Sequence, residues 1–192
     1  MRSGLYQRYP RSIKLGPFII RVRLAWWRVL LALRINGDDG MVMADKLRAI
    51  ARIFVPWAWL VPFKIRVLIV QAVFNIVFGE KIHESNGPRY MDFEQDAALI
   101  SAAFLQAYGV DLDKSNMHWF RFRDLLGAVP DDTAFAKVVE LRRRPLPKPT
   151  KYNAEEIAAL QKAKAAVALK ISDEERREQF ANSLKNSSVL RG

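Results

Sequence analysis

The spacing of apolar residues changes several times along this chain, and each change predicts an element. Ile13 and Leu15, then Phe18, Ile20, Val22 and Leu24, alternate with other residues around Leu15-Gly16-Pro17. That pattern predicts a short β-hairpin over residues 12–24. From Ala25 the period lengthens. "AWWRVLLALRI" puts Trp26, Trp27, Leu30, Leu31 and Leu33 on one broad helical face. "NGDDG" interrupts it, and "VMADKLRAIARIF" predicts a second helix with Val42, Leu47, Ile50 and Phe54 apolar. Pro56 and Pro62 bound a short aromatic linker, "WAWLV".

The greasiest run, residues 53–79, is broken by Pro56, Pro62, Lys64 and Arg66, so that only Val67 to Gly79 is uninterrupted. A membrane span needs ~20 apolar residues. The run therefore predicts a buried helix, Phe63 to Phe78, stopped by Gly79, and no membrane span.

"EKIHESNGPRY", Glu80 to Tyr90, is polar and contains Asn86-Gly87-Pro88, as a domain boundary would. Beyond it, Asp92 and Gln95 stand at capping-box spacing, and Phe93, Ala97, Ile100, Phe104 and Tyr108 recur at helical spacing up to Gly109. Asn116 is placed to cap a helix over Met117 to Leu126, ended by Gly127 and Pro130. Asp131 is placed to cap another over Asp132 to Arg144, with Phe135, Val138, Val139 and Leu141 apolar and Pro145 as its stop. "RRRPLPKPTKY" reads as a semi-rigid basic linker. Asn153 and Glu156 open an alanine-rich helix to about Lys170, and Ser172 and Glu175 precede another over Glu174 to Leu184. Large apolar side chains are sparse there, as in an arm that orders on a partner or in a frayed tail.

The expected organisation is a basic hairpin-plus-helices module (1–80), a linker (81–91), a three-helix module (92–144), a Pro/basic linker (145–152) and a helical arm (153–192). The fold class is mainly α.

Charge follows this division. The net charge is +11, carried as +10 over residues 1–89, −5 over 90–134 and +6 over 135–192. A basic–acidic–basic layout suggests separate modules whose basic parts either attract phosphates or an acidic protein or are simply a solvated basic surface. Apolar residues make up 51%, enough for a core, which argues against wholesale disorder. Cysteine is absent, which excludes disulfides, a thiolate nucleophile and cysteine metal ligands, and fits a reducing compartment. Arginines interrupt the N-terminal region, so no signal peptide is expected.

Catalytic chemistry is hard to place. His83 and His118 are the only histidines, and neither sits in a zinc-ligand spacing. No glycine-rich phosphate loop or nucleophile elbow occurs. Asp111, Asp113 and Ser115 match the first ligand positions of a calcium loop, but Asn116 and Phe122 stand where its glycine and glutamate belong. Asp92, Glu94 and Asp96 read as helix-start charges. The expectation is a non-enzyme without metal or cofactor.

Nucleic acid is the rival partner. Trp119, Phe120, Arg121, Arg123 and Arg142 to Arg144 supply rings for bases and cations for phosphates. No helix-turn-helix, RNP or zinc-finger signature accompanies them, and the segment around them is acidic. Nucleic-acid binding stays as the alternative and is not favoured.

Two segments, "DFEQDAALISAAFLQAYGVDL" and "MHWFRFRDLLGAVPDDTAFAKVVELR", resemble the Gp15-type tail proteins of long-tailed bacteriophages. The shared pattern comprises Asp96, Ile100, Ala102 to Phe104, Tyr108 to Leu112, His118 to Phe120, Phe122, Leu125, Leu126, Pro130, Asp132, Thr133, Phe135 and Val138. Within it, Phe104, Tyr108, Gly109, His118, Trp119, Phe122, Leu126, Pro130 and Phe135 form the fold signature. The resemblance implies a helical, non-catalytic tail assembly chaperone. Such a protein coats the tape-measure protein in the host cytoplasm and is absent from the mature virion. The tail tube protein and further copies of the chain are additional expected partners, and a structural tail component is the other phage-related alternative.

On that view the Trp119/Phe122/Leu126 stripe is helical core or groove. Phe120, lying off the stripe, is expected to face a partner. Arg121 and Arg123, with the basic exit Arg142, Arg143, Arg144, Lys148 and Lys151, are expected to contact an acidic client or a neighbouring copy.

Overall fold

A computed structural model describes residues 8–79, 89–150 and 152–170. His83, Lys151 and the helix expected over Glu174 to Leu184 lie outside the described residues. The protein is mainly α-helical, with one two-stranded antiparallel hairpin among the described residues, near the N-terminus. Two compact units divide the chain: Met1–Pro88 with Ser101–Pro130, and Arg89–Ile100 with Asp131–Gly192. This division differs from the consecutive modules suggested by charge, because segment 92–144 contributes to both units.

In the first unit, β1 (Ser12–Leu15) pairs with β2 (Phe18–Arg21), Ile13 lying opposite Ile20 and Leu15 opposite Phe18. Gly16, at φ 59°, and Pro17 form the two-residue loop. A glycine with positive φ followed by proline is the sign pattern of a type II′ turn, whose twist suits a hairpin. Ile13, Ile20, Val22 and Leu24 point inward as the alternation predicts, whereas Phe18 and Ile19 are exposed.

Three helices follow: α1 (Trp26–Asn36), α2 (Met43–Phe54) and α3 (Phe63–Phe78). α2 packs against both α1 and α3, and α3 against β1. Val29 and Ala32 of α1, Ile50, Ala51 and Phe54 of α2, and Ile69, Val70, Val73 and Val77 of α3 are buried. Each large side chain among them contributes about 1.5–3 kcal/mol by leaving water. Trp27 and Leu31, expected on the apolar face of α1, stay exposed, because the face that packs is centred on Val29 and Ala32. Buried Lys46 donates to the Asn36 carbonyl at 3.0 Å, setting a cation at the negative end of α1. Arg28 joins α1 to α2 through the Ile53 carbonyl at 2.8 Å. No helix among the described residues is long and apolar enough to cross a membrane.

α4 (Ala97–Tyr108) starts one turn later than its capping pattern suggested. The Asp92 carboxylate instead accepts the Glu94 and Gln95 amides at 2.9 and 2.8 Å, closing a separate turn first. Gly109, at φ 63°, ends α4 as expected. α5 (Trp119–Gly127) starts after Met117 because Met117 and His118 are held in an extended pairing with Leu24 to Trp26. The Trp119 amide donates to the Leu24 carbonyl at 2.7 Å and the Trp26 amide to the Met117 carbonyl at 3.1 Å. α1 and α5 thus start from one short antiparallel pairing, and they go on to pack together.

In the second unit, α6 (Ala134–Arg143) is capped by Thr133 rather than Asp131. The Thr133 hydroxyl accepts the Ala136 amide at 3.2 Å from a fully buried position. α7 (Ala154–Ala166) packs on α6 and contains no buried residue.

Candidate partner-binding surface

The signature aromatics of the first unit assemble into one stack. Phe122 lies between Trp26 and Phe104, with ring centroids 5.1 Å from each, and Trp119 adds a third contact at 5.8 Å. Phe104 meets Tyr108 edge-on at 5.6 Å, and the Tyr108 hydroxyl donates to the Leu125 carbonyl at 2.8 Å. Offset and edge-on ring pairs add about 0.5–1.5 kcal/mol each beyond their burial. Trp26 Nε1 donates to the Ser115 carbonyl at 3.0 Å, tying the stack to the loop before α5.

His118 is the N-cap of α5. Its Nδ1 accepts the Phe120 amide at 3.3 Å, and its Nε2 lies 2.8 Å from the Pro10 carbonyl. A carbonyl only accepts, so the proton is assigned to Nε2, and the neutral ring fits both bonds. Burial pushes the imidazole below its usual range and the charge of Arg11 adds to that, while the bond to Pro10 opposes it. His118 is therefore a structural cap.

The surface role expected for Phe120 needs correcting as to placement. Phe120 is only 7% exposed. Tyr9 and His118 stack on it at 6.0 and 5.6 Å, and the Arg123 guanidinium sits 4.9 Å from its ring centre. Tyr9 also donates to Asp124 at 3.0 Å. The segment at Tyr9 and Pro10 lies across the side of α5 that the helical stripe leaves open, a contact that periodicity within α5 cannot reveal.

Arg121, Arg123, Arg143, Arg144 and Lys148 are exposed, as expected of a basic surface. Arg142 is not. Its side chain is 11% exposed and faces Asp96, which is 2% exposed. Arg142 Nη1 and Nη2 donate to the two Asp96 oxygens at 2.7 and 2.8 Å, Nη1 also donates to the Tyr90 carbonyl at 3.1 Å, and Nε to the Val167 carbonyl at 2.6 Å. Burial alone would raise the Asp96 carboxyl. The bonds from Arg142 and from the Asp92 amide, with the guanidinium charge, outweigh burial and hold it below the usual carboxylate range. Arg142 is thus the hub that joins the turn before α4, α6 and the end of α7. Lys164 supports it by donating to the Arg142 and Arg144 carbonyls, and Gln95 exchanges two hydrogen bonds with Lys170, at 2.9 and 2.7 Å.

Among the remaining signature positions, Phe104 and Phe135 are buried, Leu126 is half-buried and Pro130 is exposed. In the loop before α5, the Asp111 carboxylate accepts the Asp113 amide at 3.0 Å and pairs with Lys114 at 3.0 Å. Among the described residues no cluster of three His, Asp or Glu side chains is placed to hold a metal ion.

Sequence reasoning missed one surface. The stretch read as a linker is a hydrogen-bonded turn, with a single 3-10 turn at Ala58–Leu60, that leaves Trp57, Trp59, Leu60 and Phe63 exposed. Its signal was the pair of prolines bracketing two tryptophans, since a segment so short and constrained has little means to bury both.

Residues 72–169, just over half the chain, match the family described as Bacteriophage Gp15 protein, and the chain belongs to that family. No curated protein and no solved structure matches it. It is therefore a mainly helical bacteriophage protein whose match includes α4, α5, α6 and α7.

Proposed function

We propose that this protein is a tail assembly chaperone: a non-catalytic protein that binds the phage tape-measure protein during tail morphogenesis in the host cytoplasm and is absent from the finished virion. Membership of the Gp15 family carries the reading. Of the residues in which the likeness to tail proteins lies, Phe104, Tyr108, Trp119 and Phe122 pack as the aromatic centre of the first unit, and His118 stacks on Phe120.

Further support comes from how the polar groups are used. His118 caps a helix, and Asp96 and Arg142 bind each other and backbone carbonyls. These groups serve the scaffold and leave binding to outward-facing apolar and basic side chains. A long helical client needs such contacts spread over a stable helical frame.

Co-expression with the tape-measure protein of the same phage is the test. The tape measure is expected to become more soluble and the two chains to co-purify. Mass spectrometry of purified particles separates a chaperone, absent from them, from a structural tail component, present in them.

A further inference from the structure

Within seven residues the first unit exposes four large apolar side chains: Trp57 (43%), Trp59 (59%), Leu60 (64%) and Phe63 (40%). Four large apolar groups exposed so close together in the chain exceed the scattered single residues that are normal on a surface. The backbone beneath them is fixed. Val55 and Ala58 are fully buried anchors, and the amides of Ala58 and Leu60 donate to the Val55 and Trp57 carbonyls at 2.9 and 3.0 Å. Arg66 reaches back from α3, donating through Nε to the Val61 carbonyl at 3.0 Å and through Nη2 to the Trp59 carbonyl at 2.9 Å. Pro56 and Pro62 restrict the chain on either side. A turn so preorganised loses little freedom when a partner covers it.

Charge identifies the partner. Asp45, paired with Arg48 at 2.7 Å, is the one acidic residue from position 45 to Gly79, whereas Arg52 and Lys64 are exposed cations. The Arg48 guanidinium, so paired, lies 5.6 Å from the centre of the Phe63 ring, and Lys64, next in the chain, is exposed. Leu60, the most exposed of the four, offers nothing to a nucleic-acid base, which needs a flat ring to stack on. Apolar exposure concentrated on one turn also differs from the extended stripe by which helices lie on a membrane. A few aromatic anchors with arginine beside them suit a protein partner.

We infer that the Trp57–Phe63 turn docks an acidic amphipathic helix of a partner protein, whose apolar stripe covers Trp57, Trp59, Leu60 and Phe63 and whose carboxylates meet Lys64. The helical character of that partner rests on the chaperone reading, and the surface itself rests on the turn.

The full chain is titrated into a fluorescent synthetic helix built of leucines on one face and glutamates on the other, and into its lysine-for-glutamate counterpart, with anisotropy as the readout. The acidic helix is expected to bind at least about tenfold tighter than the basic one. W57S/W59S is expected to lose about tenfold or more of that affinity with its helical circular dichroism unchanged. L105S, at an exposed leucine of α4, is expected to bind as the wild type does. If W57S/W59S misfolds, K64E supplies the readout through weaker binding of the acidic helix.

The inference is overturned if the two helices bind equally, if neither binds, if both the folded W57S/W59S protein and K64E bind like the wild type, or if the protein sediments with anionic phospholipid vesicles while ignoring the acidic helix. Loss of tape-measure co-purification with peptide binding intact would instead sink the chaperone reading and leave the surface standing.

Discussion

Asp96 and Arg142, 46 positions apart, face each other through two hydrogen bonds of 2.7 and 2.8 Å in a setting almost closed to water. The fork of the guanidinium matches the carboxylate, and its remaining donors reach the carbonyls of Tyr90 and Val167. One side chain thus fastens the turn before α4, α6 and the chain after α7, in a unit whose last described helix buries no residue of its own.

Removing Arg142 leaves the Asp96 charge buried beside two unsatisfied carbonyls. Arg142→Ala is expected to destabilise the second unit by about 3–5 kcal/mol, the usual cost of breaking a buried pair from one side. Arg142→Lys keeps the charge but not the fork, and should fall between. Urea unfolding gives the magnitude, and amide exchange along α7 should report its release from α6.

Acid should act through the same pair. The Asp96 carboxyl is held below its unfolded value of about 3.9, so the unfolded state binds the proton first as pH falls. Its contribution is complete above that value and is lost as pH drops through the lower, folded value. Asp96→Asn, already destabilised, should lose less further stability than the wild type below about pH 4, as a series of thermal melts would show.

His118 predicts a second, milder dependence. Its folded value is depressed from about 6.5, so the fold favours the neutral ring and the unfolded state takes up the proton first. Stability from this group is present above about pH 6.5 and declines as pH falls towards the folded value, because a protonated Nδ1 no longer accepts the Phe120 amide. His118→Asn keeps a capping oxygen and should remove that slope, while His118→Ala should cost about 1 kcal/mol at neutral pH. Denaturant midpoints between pH 5 and 8, the range over which histidine ordinarily titrates, check both.

Phe120 is a core residue by placement, so Phe120→Ala is expected to cost about 3 kcal/mol or more through the cavity it leaves under Tyr9. Arg121→Ala and Arg143→Ala, both at exposed positions, should change stability by less than about 0.5 kcal/mol. Calorimetric melting of the three variants separates the two groups.

What the sequence disclosed was local. The alternation around Gly16-Pro17 showed the hairpin and its inward residues Ile13, Ile20, Val22 and Leu24, and helical spacing showed where α1 to α7 lie. Helix starts were misplaced where a distant contact decided them: α5 starts at Trp119 because Met117 and His118 pair with Leu24 to Trp26. Phe120 looked exposed because Tyr9 and Pro10, more than 100 positions away, cover the off-stripe face of α5. Arg142 looked like one of three solvated arginines, since nothing local distinguishes it from Arg143 or Arg144; only the chain path brings it to Asp96. The Trp57–Phe63 turn was visible as composition, but its outward display follows from the Arg66 bonds and the buried Val55 and Ala58.

The most direct test of the central claim is the solubility of the tape-measure protein expressed with and without this chain. The tape measure is expected to shift from the insoluble to the soluble fraction, in a complex that co-purifies with this protein. An unchanged soluble fraction, with nothing co-purifying, would contradict that claim.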